Sequence, residues 1–160
     1  MAKYTIGLDY GTNSVRALLV SVANGREAAT STWTYEHGLE GVILSRDPNL
    51  ARQHPADYLK GAEITIKAVL RVAKRKSKSF KVSDVIAVGV DTTGSTPIPV
   101  DADGVALALK KRFANNPAAM AWLWKDHTGV AEAAEITALA ARLRPQYLAK
   151  CGGTYSSEWY

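Results

Sequence analysis

One turn near the amino terminus constrains this chain more than any other feature. From Ile6 to Ala17 the order is Ile-Gly-Leu-Asp-Tyr-Gly-Thr-Asn-Ser-Val-Arg-Ala, which sets a carboxylate, a glycine and three hydrogen-bonding side chains between two apolar runs. Tyr4, Ile6 and Leu8 alternate with Thr5, Gly7 and Asp9, and Val15, Ala17 and Leu19 alternate beyond the turn. That period of two predicts a strand-turn-strand hairpin. Gly11 lets main-chain N–H groups approach an oxyanion closely, and Thr12, Asn13 and Ser14 add side-chain donors. Asp9 cannot meet a phosphate directly, since two anions repel. It fits if Mg²⁺ lies between it and the phosphates of ATP. An Asx-type turn, using Asp9, Gly11 and Asn13 for geometry alone, would carry the same residues.

At 160 residues the chain is the size of one domain, and a chain of that length buries about 68–70% of its unfolded surface. No apolar run approaches the roughly 20 residues of a membrane span, and the first residues lack a secretory pattern. A cytoplasmic protein with no membrane partner is expected. Cys151 is the single cysteine, which excludes an internal disulfide and a cysteine zinc cage. Much of the net charge of +5 comes from Arg71, Lys74, Arg75, Lys76, Lys78 and Lys81. Cations gather favourably at a helix C-terminus, and no aromatics interleave with these to stack on bases, so no nucleic-acid partner is expected.

Arg26 to Tyr35 reads as a third strand joined by the Asn24-Gly25 turn. Glu36 to Gln53 has no period and reads as a long loop. Pro55 opens a helix on which Leu59, Ala62, Ile66, Val69 and Ala73 keep helical spacing. The apolar run Val85 to Val90 suits a strand buried on both faces of a mixed or parallel sheet. Its polar far end, Asp91 to Thr96, stands where open α/β sheets bind ligands. A second hairpin is expected around Asp101 to Gly104, a short helix over Ala118 to Trp124 after Asn116-Pro117, and a helix from Val130 to Leu143 ending before Pro145. In that last helix Ile136, Leu139, Ala140 and Leu143 share a face. Cys151 to Tyr160 reads as a functional loop.

Absent motifs narrow the chemistry. The chain has no P-loop, no dinucleotide fingerprint, no nucleophile elbow and no H-E-x-x-H, and His37, His54 and His127 lack ligand spacing. Thr93, Gly94 and Ser95 could hydrogen-bond a polyol, or cap a strand. Trp124 could pack on a sugar face while Lys125 and Asp126 hold hydroxyls, or it could be core.

Gly7-Leu8-Asp9-Tyr10-Gly11-Thr12-Asn13-Ser14-Val15-Arg16 resembles the first phosphate motif of the FGGY carbohydrate kinases, within the actin-like, ribonuclease H-like ATPase superfamily. More specific are Gly89 to Asp101, Asn115-Asn116-Pro117, Leu123 to His127 and Gly152 to Trp159, and the resemblance covers essentially the whole chain. It implies an α/β domain whose mixed sheet opens with an antiparallel hairpin and packs against helices. It further implies ATP-dependent phosphorylation of L-ribulose to L-ribulose 5-phosphate, a step of arabinose breakdown. By the same resemblance Asp9, Gly11, Thr12, Asn13, Ser14 and Arg16 match the phosphate and Mg²⁺ motif. Thr93, Gly94 and Ser95 match the sugar-contacting loop, with Trp124 beside it. Glycerol kinases carry larger charged side chains in that loop, so Gly94 and Ser95 point to a bulkier ketose.

Members of this family run well past Tyr160, and their general-base aspartate, remaining sugar ligands and adenosine lobe lie in that part. Residues 1–160 therefore read as an incomplete N-terminal domain, inactive alone, with exposed apolar surface that favours self-association. Two other readings stay open: a non-catalytic nucleotide switch of the actin-like kind, and an FGGY kinase for xylulose, ribitol or glycerol.

Overall fold

The computed structural model describes residues 2–159. Strands β1 (Tyr4–Tyr10) and β2 (Ser14–Ser21) form the expected antiparallel hairpin, in register from Tyr4 opposite Ser21 to Tyr10 opposite Val15. Strand β3 (Glu27–Thr34) adds to β2. Gly25 takes φ +69° in the connecting turn and donates its N–H to the Ser21 carbonyl, while Arg26 N–H donates to Asn24 Oδ1. A left-handed residue at that position is what selects glycine.

Helix α1 (Pro55–Lys76) starts where the proline predicts, capped by His54, whose Nδ1 accepts the Ala56 N–H at 3.2 Å. At its other end the basic cluster closes the helix. Lys74 Nζ donates to the carbonyls of Lys78 and Phe80, and Lys76 Nζ to that of Ala28. The helix carries the chain across the sheet to β5 (Val85–Thr92), which pairs parallel to β1 and completes the order β3-β2-β1-β5. A parallel neighbour needs such a crossover, and this one makes the sheet mixed.

The buried face of α1 keeps Val69 and Ala73 of the expected stripe, with Ala62 and Ile66 partly buried against the same core of Ile6, Leu8, Val15, Ala17 and Leu19, and departs from it at Leu59, which is exposed. Asp57, Gly61 and Thr65 are buried in addition. The cause is close approach. A Cβ at Gly61 would overlap Val15 Cγ1 and stand 2.8 Å from Trp33 Cε3, so only glycine lets the helix axis lie this near the hairpin. Thr65 satisfies its buried hydroxyl by donating to the Gly61 carbonyl at 2.7 Å.

The apolar run of β5 is not buried on both faces. It is an edge strand, and Ile86, Val88 and Val90 are 56–63% exposed. Register sets Val88 beside Ile6 and Val90 beside Leu8, on the helix side of the sheet. Helix α1, however, packs on β2 and β3 and stops short of them. Hydrophobicity marks the residues that want cover, and cannot say which element supplies it.

Other readings change as well. The expected helix over Ala118 to Trp124 is a single 3₁₀ turn, Pro117–Ala119, followed by strand β6 (Ala121–Trp122). Its partner is β4 (Arg52–Gln53), at the end of the segment read as loop. A two-residue strand has no period to read, and its partner lies far away in sequence. The hairpin around Asp101 to Gly104 shrinks to one bridge, Val100 to Ala106. Helix α2 (Val130–Leu143) forms as expected, yet Leu139 and Leu143 are exposed and Ala133 is its buried residue. Pro145 opens a short α3 (Pro145–Lys150) as well as ending α2. Tyr160, the last residue of the loop read as functional, lies outside the described residues. No described helix is long and apolar enough to cross a membrane.

Gly61→Ala sets helix propensity against packing. Alanine gains about 1 kcal/mol in a helix, and overpacking at such a contact costs about 1–3 kcal/mol, so a net loss is expected, read as a lower urea midpoint. His54 supplies a pH dependence. Burial, reinforced by the His37 ring stacked 4.1 Å away and opposed by Asp57 and the Ala114 carbonyl, holds its pKa below the ordinary range. The unfolded chain therefore protonates first as pH falls, and stability is lost below the ordinary imidazole value. His54→Asn keeps an N-cap without the titration. Its thermal midpoint should gain on the parent's as pH is lowered from about 7.5 to about 5.

Candidate functional site

The turn Gly11 to Ser14 sits at the carboxyl end of β1, beside the carboxyl end of parallel β5. Gly11 N–H closes it on the Ser14 carbonyl at 2.9 Å. Gly11 does not take a positive φ, and a Cβ there would meet the Ser14 carbonyl at an ordinary 3.4 Å. The tightness expected of Gly11 thus comes from the hairpin itself.

The carbonyls of the turn are tied back. Thr12 C=O accepts from Gln53 Nε2 at 2.6 Å, and Asn13 C=O accepts from Tyr35 N–H at 3.0 Å. Among the described residues neither the Thr12 nor the Asn13 N–H donates to a protein acceptor. The Asn13 side chain donates to the Glu40 carbonyl at 2.6 Å and so holds the long loop. Trp124 Nε1 donates to the Thr12 hydroxyl at 3.1 Å. Backbone amides without a protein acceptor, beside carbonyls that are tied back, are what an anion-binding turn needs.

On the sheet face away from α1, Asp9 pairs with Arg16 across the hairpin at 2.7 Å. Both are about half exposed, so the pair is loosely held and open to exchange for a ligand. Register places Asp91 directly beside Asp9 on the neighbouring strand. Asp9, Arg16 and Asp91 line one open groove with Gly7 and Gly89, whose missing side chains leave its floor clear. In the sequence Asp91 reads only as the start of the polar segment that ends its strand, and strand pairing is what brings it to Asp9. Among the described residues no group of three or more His, Cys, Asp or Glu converges as a metal cage.

The second polar segment lies across from the turn. Thr93 N–H donates to the Tyr10 carbonyl at 3.1 Å, extending the β1–β5 ladder by one residue. Thr92, Thr93, Thr96 and Ile98 then face Tyr10, Gly11, Gln53 and Tyr58 around a cavity of about 190 Å³. Tyr10 and Tyr58 meet edge to face at 5.8 Å, and burial pushes both phenols above their ordinary range, so they stay neutral hydrogen-bonding groups. The Thr96 hydroxyl is buried without a partner among the described residues. Ser95 and Thr96 also line a neighbouring hollow with Trp122 and Asp126. Gln53 and Tyr58 carry no motif and are not legible in the sequence, whereas Thr96 ends the polar segment Asp91 to Thr96.

Trp124, Lys125 and Asp126 divide. Trp124 is partly exposed and touches the turn, and Lys125 has no partner among the described residues. Asp126 is buried. It forms an ion pair with Arg52, accepts the Ala51 N–H at 2.7 Å, and accepts from the Thr128 N–H and hydroxyl. Arg52 in turn stacks 3.7 Å over the Trp122 ring. This carboxylate holds β4 to β6, and so holds Gln53 and Trp124 in place.

No protein-family model matches the chain. Curated proteins do. It is 42% identical over 159 residues to a ribulokinase of Vibrio parahaemolyticus, covering 99% of this chain and 27% of that protein. It is 39% identical over 164 residues to a ribulokinase of Shouchella clausii, covering 99% and 28%. The chain thus spans just over a quarter of the length of these relatives. Among solved structures, a xylulose-type kinase from Brucella ovis superposes with TM-score 0.68 at 25% identity, over 96% of this chain and 26% of that one. A Plasmodium falciparum glycerol kinase with ADP gives 0.62 at 16%, over 86% and 23%. The fold is that of the sugar kinases with the actin-like ATPase architecture, and the sequence likeness to ribulokinases runs through the whole chain.

The buried ion pair carries its own test. Asp126→Asn leaves the Arg52 cation buried without its counter-charge and should lower stability by about 3–5 kcal/mol. Lys125→Met should leave the urea midpoint unchanged.

Proposed function

We propose that this relative of the ribulokinases is the phosphate-holding and part of the sugar-holding region of an ATP-dependent kinase, an incomplete N-terminal domain of it. The enzyme transfers the γ-phosphoryl group of ATP to L-ribulose, giving L-ribulose 5-phosphate. The bond formed joins the sugar's terminal hydroxyl oxygen to the γ-phosphorus, the bond broken is that from the γ-phosphorus to the β–γ bridging oxygen, which leaves with ADP, and the hydroxyl proton passes to the general base. The observation that carries the reading is the turn itself. Among the described residues the Thr12 and Asn13 amides have no protein acceptor, the Thr12 carbonyl that shares a peptide unit with the Asn13 N–H is held by Gln53, and the Asp9 carboxylate stands two residues before Gly11.

In this reading the Thr12 and Asn13 amides and the Thr12 and Ser14 hydroxyls hold phosphate oxygens, Gly11 closes the turn through its bond to the Ser14 carbonyl, and Arg16 leaves Asp9 for the anion. Asp9, with Asp91 beside it, supplies hard carboxylate oxygens of the kind Mg²⁺ takes alongside substrate phosphates. Mg²⁺ held there would supply charge neutralisation for the transferring phosphate. Thr93, Gly94 and Ser95 hold ketose hydroxyls across the cavity, with Trp124 against the sugar and Lys125 free to reach a hydroxyl. Asp126 acts behind them by fixing Trp124. The general base and the adenosine contacts belong to the length that the relatives have in addition. Phosphoryl transfer depends on positioning both substrates in a closed cleft, so residues 1–160 alone should not turn over.

The test is Asp9→Asn in a full-length kinase carrying this segment. Turnover should fall by about 10²-fold or more while L-ribulose binding changes little. Calorimetry with L-ribulose should give heat, whereas a nucleotide switch without a sugar site gives none. Unchanged turnover in Asp9→Asn removes the metal role.

A further inference from the structure

Gln53 touches neither substrate in this scheme, yet both ends of its amide are used. Its Nε2 donates to the Thr12 carbonyl at 2.6 Å, and its Oε1 accepts from the Tyr58 hydroxyl at 2.6 Å. The side chain is 2% exposed, so neither bond is shared with bulk water. A turn that binds an anion has to present N–H groups and keep carbonyl lone pairs off the ligand. The Asn13 carbonyl is withdrawn by a main-chain amide, that of Tyr35, whatever the side chains are. The Thr12 carbonyl is withdrawn by a single side chain. We propose that Gln53 is the positioning residue of the phosphate turn, holding the Thr12 carbonyl inward so that the turn's amides face the nucleotide phosphates.

The geometry makes the orientation of that amide unique. The Thr12 carbonyl can only accept, so it draws the NH₂ group and leaves Oε1 to accept from Tyr58, whereas the reverse flip would set two acceptors, Oε1 and the Thr12 carbonyl, face to face. Burial, with Asp57 adding to it, keeps the Tyr58 phenol protonated and hence a donor. The backbone of Gln53 is fixed independently, by pairing with Ala121 in the β4–β6 ribbon and by the start of α1 two residues on. The same ribbon leads to Trp124, whose indole N–H holds the Thr12 hydroxyl. Thr12 is therefore gripped at its carbonyl from beneath and at its hydroxyl from the sugar side.

This inference rests on the reading of the Asp9 turn as the nucleotide site, and the experiment separates the two. In a full-length kinase carrying this segment, Gln53→Met keeps the length and apolar fit of the side chain and removes both hydrogen bonds. The KM for MgATP and the Kd for MgADP should rise about tenfold, with the KM for L-ribulose within about twofold of the parent. Gln53→Glu, which cannot donate to a carbonyl when ionised, should show the same split. Tyr58→Phe removes only the orienting bond and should raise the MgADP Kd by about threefold with the fold intact. A merely structural role would instead lower the thermal midpoint or the active fraction and leave both constants alone. Folded Gln53→Met with unchanged nucleotide constants overturns the proposal. So does unchanged MgADP affinity in Tyr58→Phe, should Gln53→Met fail to fold. If Asp9→Asn and Ser14→Ala leave MgADP binding untouched as well, the nucleotide reading of the turn falls instead.

Discussion

The close contact of Gly61 with Val15 and Trp33 is the constraint from which the rest of this structure follows. It brings helix α1 down onto the hairpin at one point and so fixes where the first turn of the helix lies. Gln53 and Tyr58 stand on either side of that turn's start and are carried beneath the Thr12 carbonyl. A larger residue at 61 would lift the helix and with it the support of the turn. The aromatic cluster of Tyr10, Tyr35, Tyr58 and Trp33, meeting edge to face at 5.7–6.2 Å, fills the wedge left between helix and sheet. Edge-to-face rings pack tightly at fixed angles, which makes this wedge a rigid support.

Charge is distributed by depth. The exposed Asp9–Arg16 pair is weak, as water screens it and either partner can be exchanged. The buried Arg52–Asp126 pair is the opposite case. Its charges have lost their water and hold one another, the Ala51 amide and Thr128 in one arrangement. The first suits a surface that must receive a charged ligand. The second suits a strut that must not move, and it braces the ribbon from which Gln53 and Trp124 extend.

The hairpin, the Asn24-Gly25 turn, the Pro55 helix start and the basic helix end were all legible in the sequence. Each depends on residues within a few positions of one another, through alternation, a left-handed glycine or a fixed proline φ. The resemblance to sugar kinases was legible for the same reason, since its motifs are contiguous. What misled were features that depend on distant partners. The β5 run carries the composition of a central strand and lies at an edge. Residues 118–124 look helical, and Ala121–Trp122 is drawn into a strand by Arg52–Gln53. The ion pair of Asp126 with Arg52 is likewise set by a partner far away in sequence.

The sequence by itself determined a turn with the right donors, a carboxylate two residues before its glycine, and the family to which those motifs are similar. Which groups of that turn face outward was decided only by tertiary structure. Hydrogen bonds from Gln53, Tyr35 and Trp124, 22 to 112 residues away along the chain, choose the direction of the Thr12 and Asn13 carbonyls and anchor the Thr12 hydroxyl. The physical reason is that a peptide unit's two dipolar ends are fixed to each other. Where Gln53 holds the Thr12 carbonyl, the N–H of Asn13 in the same peptide unit must point the other way, and where Tyr35 holds the Asn13 carbonyl the same is true of the Ser14 N–H.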